Sequence, residues 1–293
     1  MHSYDPFEAL IAPARPSKSL ARLLMGVVLL VVVFVVTNVA YFGVIQRMPD
    51  AAMLFSEINS GTTARGMAWL LGSFTCLLAA LGVALHFVHR RTLRSLVGSG
   101  VSAFGQARRV IFLCVGIYAV AYLLPMPVDF AAERAMDLDV WLRLLPMSVG
   151  LIILQCSAEE LVFRGYLQSQ LAARFRSPAV WMLFPSVLFG ALHYDVTTYG
   201  DMAIWIALWS TVFGLVAADI TARAGTLGPA IALHVMNNFG ALSITAMEGY
   251  WDGLALYTLP FGPQDTDALA FMMPLEGGML LCVWLAARIA LRR

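Results

Sequence analysis

Leu151-Ile-Ile-Leu-Gln155-Cys-Ser-Ala-Glu159-Glu160-Leu-Val-Phe-Arg164-Gly-Tyr166 sets two adjacent carboxylates and an arginine inside an otherwise apolar run. Ionisable groups at membrane depth are costly, so they are rare and usually functional. On a helix, Glu160 and Arg164 are i,i+4 neighbours and can pair. Glu159 is i,i+5 from that arginine and points roughly 140° away from it. The spacing therefore predicts a division of labour: Glu160 and Arg164 neutralise each other, and Glu159 is left without a local counter-ion. An uncompensated carboxylate in a low-dielectric interior suits a general base or acid.

The rest of the chain has the composition such a stretch needs. Of its 293 residues, 60% are hydrophobic and only 13% charged, with mean hydropathy +0.78. Soluble domains carry about 25% charged residues, so the composition predicts an all-α polytopic membrane protein. Cys76, Cys114, Cys156 and Cys282 all fall in apolar runs without CxxC spacing. That pattern speaks for core filling and against a disulfide framework or a thiolate metal site. No cleavable signal peptide is expected, because the first apolar run starts only near Leu23 and no small-residue cleavage site follows it. No nucleic-acid module or phosphate loop is present in the sequence, and no nucleic-acid partner is expected.

Eight apolar segments of spanning length can be drawn: Leu23–Phe42, Ala68–Val88, Val110–Leu124, Leu144–Leu171, Ala179–His193, Met202–Ile220, Leu227–Ile244 and Leu269–Ala290. Basic residues alternate with them. Arg15, Lys18 and Arg22 precede the first span, Arg90, Arg91, Arg94, Arg108 and Arg109 fill the second loop, and Arg174, Arg176, Arg223, Arg288 and Arg292 continue the pattern. The intervening loops are acidic, with Asp129, Glu133, Asp137 and Asp139 in the third. By the positive-inside rule both termini are cytoplasmic, and a prokaryotic inner membrane is the expected location. The chain divides into a tail (1–22, with Pro6, Pro13 and Pro16, expected to be flexible or surface-lying), a front half of plain apolar helices (23–143), a polar-bearing core (144–245) and an outer loop with the last helix (246–293). Short interfacial helices are expected in the outer loops Arg47–Gly66 and Met126–Arg143.

Three polar clusters fall in the core segment: Glu159, Glu160 and Arg164; Phe189-x-x-x-His193; and His234-x-x-x-Asn238. Counted at ~1.5 Å per residue from the basic inner markers, Glu159, His193 and His234 lie roughly 22, 25 and 16 Å deep, compatible with one intramembrane cavity. Together they make a workable hydrolase: Glu159 deprotonates water, His193 positions it, and His234 with Asn238 donates to the oxyanion. A buried ion-pair network that merely locks helices is the structural alternative for the same residues. His86 and His89 read as interfacial, Asp219 as snorkelling or capping locally, and Glu276 as an intramembrane carboxylate without an obvious partner or role.

In this order and on successive hydrophobic segments, the three motifs resemble those of the CPBP family of CAAX proteases and bacteriocin-processing enzymes. Gly225-Thr-Leu-Gly-Pro229 is similar to the family's approach to its last motif, and the likeness covers about Leu151 to Asn238. It implies a type II CAAX prenyl endopeptidase-like intramembrane protease. Glu159 and His193 would act on water, His234 and Asn238 would form the oxyanion site, and Glu160, Arg164 and Phe189 would support them. The implied partners are the bilayer and a peptide or protein substrate, C-terminally lipidated in the CAAX branch. No cofactor is expected; zinc on Glu159, His193 and His234 is the alternative. Two other classes compete with the protease, a catalytically silent scaffold of the immunity type and a proton-coupled transporter. No broken-helix repeat of the kind transporters use is visible in the sequence.

Overall fold

The computed structural model describes residues 3–292 and is built almost wholly of helices. In chain order the longer ones are α1 (Leu20–Ile45), α2 (Ala51–Ser60), α3 (Ala64–His89), α4 (Gly100–Leu123), α5 (Leu138–Arg174), α6 (Ala179–Ala191), α7 (Val196–Ala224), α8 (Gly228–Phe239) and α9 (Thr266–Leu291). Side-chain oxygens of Ser19, Thr63, Ser99 and Asp265 cap α1, α3, α4 and α9 at their N-termini. Six of these helices (α1, α3, α4, α5, α7 and α9) are long and apolar enough to cross a membrane. The chain is an integral multi-pass membrane protein.

The expected count of eight full spans is not met by length. Helix α6 runs only from Ala179 to Ala191, hemmed in by Pro178 and by the turn at Leu192–Tyr194 that leads to Asp195. Helix α8 is 12 residues long and continues as one widened turn, Gly240–Ile244. Both are flanked by longer neighbours, α6 by α7 and α8 by α4 and α5. Close approach is permitted by missing side chains: a Cβ on Gly228 would meet the Ala103 carbonyl, and one on Gly190 would meet Thr211 and the Ala207 carbonyl.

Two further expectations are corrected. The N-terminal tail is not a loose lead. Phe7, Leu10 and Ala14 are fully buried, Phe7 packs on Trp181 with ring centroids 5.3 Å apart, and the Tyr4 hydroxyl donates to Asp219 at 2.7 Å. Asp219 also accepts from Arg223 and from the Trp284 indole, so it ties three elements together and is no local cap. His89, read as interfacial, is buried between Ser17 and Tyr166, at 2.9 and 2.8 Å from its two ring nitrogens. Burying apolar tail residues under the helix ends removes them from water, which outweighs the entropy of a proline-stiffened segment.

Between Met126 and Asp137 the second outer loop holds only a single 3₁₀ turn, Val128–Phe130, in place of the expected interfacial helix. It supplies β1 (Glu133–Arg134), antiparallel to β3 (Tyr257–Leu259), which pairs in parallel with β2 (Thr245–Met247). This small sheet and α2, which does form in the first outer loop, roof the end of the bundle opposite the basic one. The cysteines are free. Cys76, Cys114 and Cys156 are buried as expected, whereas Cys282 is exposed on α9.

Candidate active site

Helix α5 changes form just after its glutamate pair. Leu138–Glu160 is regular, and Leu161–Gln168 widens into a π-helical stretch, a feature common at functional sites. Four residues then fall just short of one wide turn, so Arg164 stays beside Glu160. Its Nη1 donates to Glu160 Oε1 at 2.9 Å, with the two side chains 2% and 0% exposed. The guanidinium lies over the Phe189 ring, 4.6 Å from the centroid, and near the Phe163 ring at 5.8 Å. Glu160 Oε2 and Arg164 Nη2 are buried without a side-chain or backbone partner.

His234 enters this cluster from α8. Its Nδ1 is 2.9 Å from the same Glu160 Oε1, and its Nε2 faces Glu159 Oε2 at 3.6 Å. One imidazole thus sits between both carboxylates. Its ring is packed edge-on against Phe213, centroids 4.9 Å apart, and against Phe189 at 6.1 Å. With Glu160 ionised by its arginine, Nδ1 is the donor of that pair. Glu159 is not ion-paired with Arg164, whose ion-pair partner is Glu160, and its side chain keeps 13% of its surface open. The predicted division between the two acids is therefore present in the geometry.

Asn238, one turn beyond His234, belongs to a second small network. Its Nδ2 donates to Gln155 Oε1 at 3.3 Å, and its Oδ1 accepts from Asn237 Nδ2 at 3.1 Å. The amide is thereby oriented, with one Nδ2 proton left over. Gln155 lies one turn before Glu159 on α5, so the same two helices hold both networks. Neither Gln155 nor Asn237 stands out in the sequence. The i,i+4 spacing of Gln155 and Glu159 is the one signal that could have marked the former.

His193 stands at the edge. Its Nδ1 donates to the Phe189 carbonyl at 2.8 Å, its ring lies 4.5 Å from the Phe189 ring, and it is partly exposed. It joins the cluster through Phe189, whose ring also touches Phe163, Arg164 and His234. The donated Nδ1 proton leaves Nε2 as an acceptor. Among the described residues no three His, Cys, Asp or Glu side chains are grouped to hold a metal ion. Glu276, on α9, is not part of either network.

Comparison with known proteins bears on this site directly. Residues 141–240 match the family described as type II CAAX prenyl endopeptidase Rce1-like, a segment that takes in every residue from Gln155 to Asn238 named above. The resemblance read from the three motifs is borne out there, and the match supports a peptidase-type activity. Over 270 residues, covering 88% of this chain and 89% of the relative, the sequence is 23% identical to YyaK of Bacillus subtilis (strain 168), described as an uncharacterized protein. No solved structure matches the chain.

Proposed function

We propose that this chain, which carries an Rce1-like type II CAAX prenyl endopeptidase segment, is an intramembrane endopeptidase whose Glu159 activates water against a peptide carbonyl. One observation carries the reading: of two neighbouring acids, Glu160 is held by Arg164 and His234, while Glu159 is not ion-paired with the guanidinium and is partly open. A base must be free to gain a proton, and a carboxylate already bound to a guanidinium resists it.

In this reading Glu159 takes a proton from a water that also donates to His193 Nε2. The resulting hydroxide adds to the carbonyl carbon. The oxyanion is met by the remaining Asn238 Nδ2 proton and by His234 Nε2–H. His234 offers that second donor when both of its nitrogens carry protons. Collapse of the tetrahedral adduct breaks the C–N bond, and Glu159 returns its proton to the leaving amine. No step passes through a metal.

In this reading both termini face the cytoplasm, supported by the alternation of basic and acidic loops along the sequence. The substrate class is a peptide cut near its C-terminus, in the lipidated form that the family description names. The test is hydrolysis by the purified protein in vesicles of one peptide made with and without a C-terminal prenyl group. A new C-terminus released from the prenylated peptide is expected. Release from neither peptide would refute the enzyme reading, and equal rates would refute prenyl recognition alone.

Gln155 offers a finer test. Its replacement by alanine frees the Asn238 amide to rotate and removes about one net hydrogen bond from its orientation. A kcat about 3- to 10-fold lower is expected, with KM and folded yield nearly unchanged. A change in KM alone would contradict the positioning role.

A further inference from the structure

At the basic end of the bundle an open cleft of about 430 Å³ lies between the packed helices α4 and α9, lined by Arg108, Arg109, Phe112, Leu113, Ile289, Ala290 and Arg292. We propose that this cleft binds the headgroup of an anionic phospholipid, with its acyl chain along Phe112 and Ile289. The proposal is separate from the peptidase reading and shares no residue with it.

Three observations point to such a ligand. The first is charge. Arg108, Arg109 and Arg292 converge from two helices, and among the described residues none of them is ion-paired with a carboxylate. Excess arginine at the inner end of a membrane helix is expected of any such protein. Arg223 and Arg91, at the same end, nevertheless have protein partners in Asp219 and Ser95. Among the described residues Arg90, Arg94 and Arg176 also lack such partners, so what sets Arg108, Arg109 and Arg292 apart is that they line one cleft together.

The second is layering. Helices α4 and α9 run in opposite directions, yet each follows the same order from the end inward. Arg108 and Arg109 precede Phe112 and Leu113 by about one turn on α4, and Ile289 lies about one turn deeper than Arg292 on α9. Phe112 and Ile289 are 78% and 71% exposed, so the apolar wall below the charged rim is bare. A rim of cations over an apolar wall is the inverse of a phosphate over an acyl chain.

The third is donor chemistry. Guanidinium forks bind phosphate oxygens in pairs, and basic pockets between helices near the cytoplasmic surface suit lipid phosphates. Three unpaired cations favour a headgroup with two phosphates over one with a single phosphate. A free phosphate would satisfy the rim and leave the wall bare, so the lipid is the occupant chosen here.

The experiment is native mass spectrometry of the full-length protein released from detergent with cardiolipin, phosphatidylglycerol or phosphatidylcholine added. The wild type should retain the two anionic lipids, cardiolipin most strongly. The triple variant R108Q/R109Q/R292Q should bind them on the order of 10- to 100-fold more weakly. R90Q/R94Q/R176Q removes the same charge from the same end outside the cleft and should bind as the wild type does. R108K/R109K/R292K, which keeps the charge and loses the forks, should fall between and serves if the glutamine variant does not fold. Three results would overturn the proposal: unchanged retention in the cleft variants, equal loss in the control variant, or phosphatidylcholine retained as well as cardiolipin. Displacement of the lipid by millimolar inorganic phosphate would reassign the site to free phosphate and overturn it too.

Discussion

Glu159→Gln is expected to lower peptide hydrolysis on the order of 10³- to 10⁴-fold while leaving the amount of folded protein in the membrane unchanged. The carboxamide has the shape of the acid and cannot accept a proton from water at neutral pH. Its effect on stability should be small for a reason visible in the site. Arg164 pairs with Glu160, so neutralising Glu159 leaves no guanidinium without its partner. It also removes one of two negative charges facing His234, at 3.6 Å from Nε2. Cleavage rate and thermal unfolding measured on the same vesicle preparation check both halves. A fall in folded yield parallel to the fall in rate would make Glu159 a structural residue.

Arg164→Met is expected to do the opposite, with stability the first casualty. The side chain is 2% exposed and neutralises a fully buried carboxylate. Removing one member of such a pair leaves the other charge unmatched and costs about 3–5 kcal/mol, enough to unfold a marginal protein. Replacing both members by uncharged groups is far milder. The double variant Glu160→Gln/Arg164→Met should therefore recover much of the lost stability. It should not recover activity, because His234 Nδ1 then loses the ionised acceptor that orients it. Unfolding midpoints of the four proteins in a double-mutant cycle give the coupling directly. A near-additive cycle would mean that the pair is not the local keystone of α5.

The contrast between these two variants follows from what was legible in the sequence. The Glu160–Arg164 pair could be read because it is local: i,i+4 spacing in an apolar run leaves little choice of partner. The helical segments were legible from apolar length, and Glu159 could be singled out by its angle from Arg164. The position of His234 between both acids was not legible, since it depends on how α8 crosses α5. The sequence suggested His234 and Asn238 as one donor pair. They lie in neighbouring networks, His234 on Glu160 and Asn238 on Gln155.

Other misses have the same physical origin. Phe7 and Leu10 sit in a proline-bearing tail too short to show a helical period, and their burial is decided by contacts with residues as distant as Trp181. The strands are two or three residues long, below the length at which alternation can be seen. Spanning length itself misled at α6 and α8, because apolar composition continues past the points where Leu192–Tyr194 and Gly240 change the backbone.

The most direct measurement is chemical rescue of Glu159→Ala by small carboxylates. Truncation leaves space where the acid stood, and a diffusible base can enter because that side chain is partly open. The alanine variant should be nearly inactive alone, and formate or acetate should restore cleavage in a saturable way, acetate more strongly because it is the stronger base. Cleavage by the unsupplemented alanine variant at the wild-type rate would contradict the account.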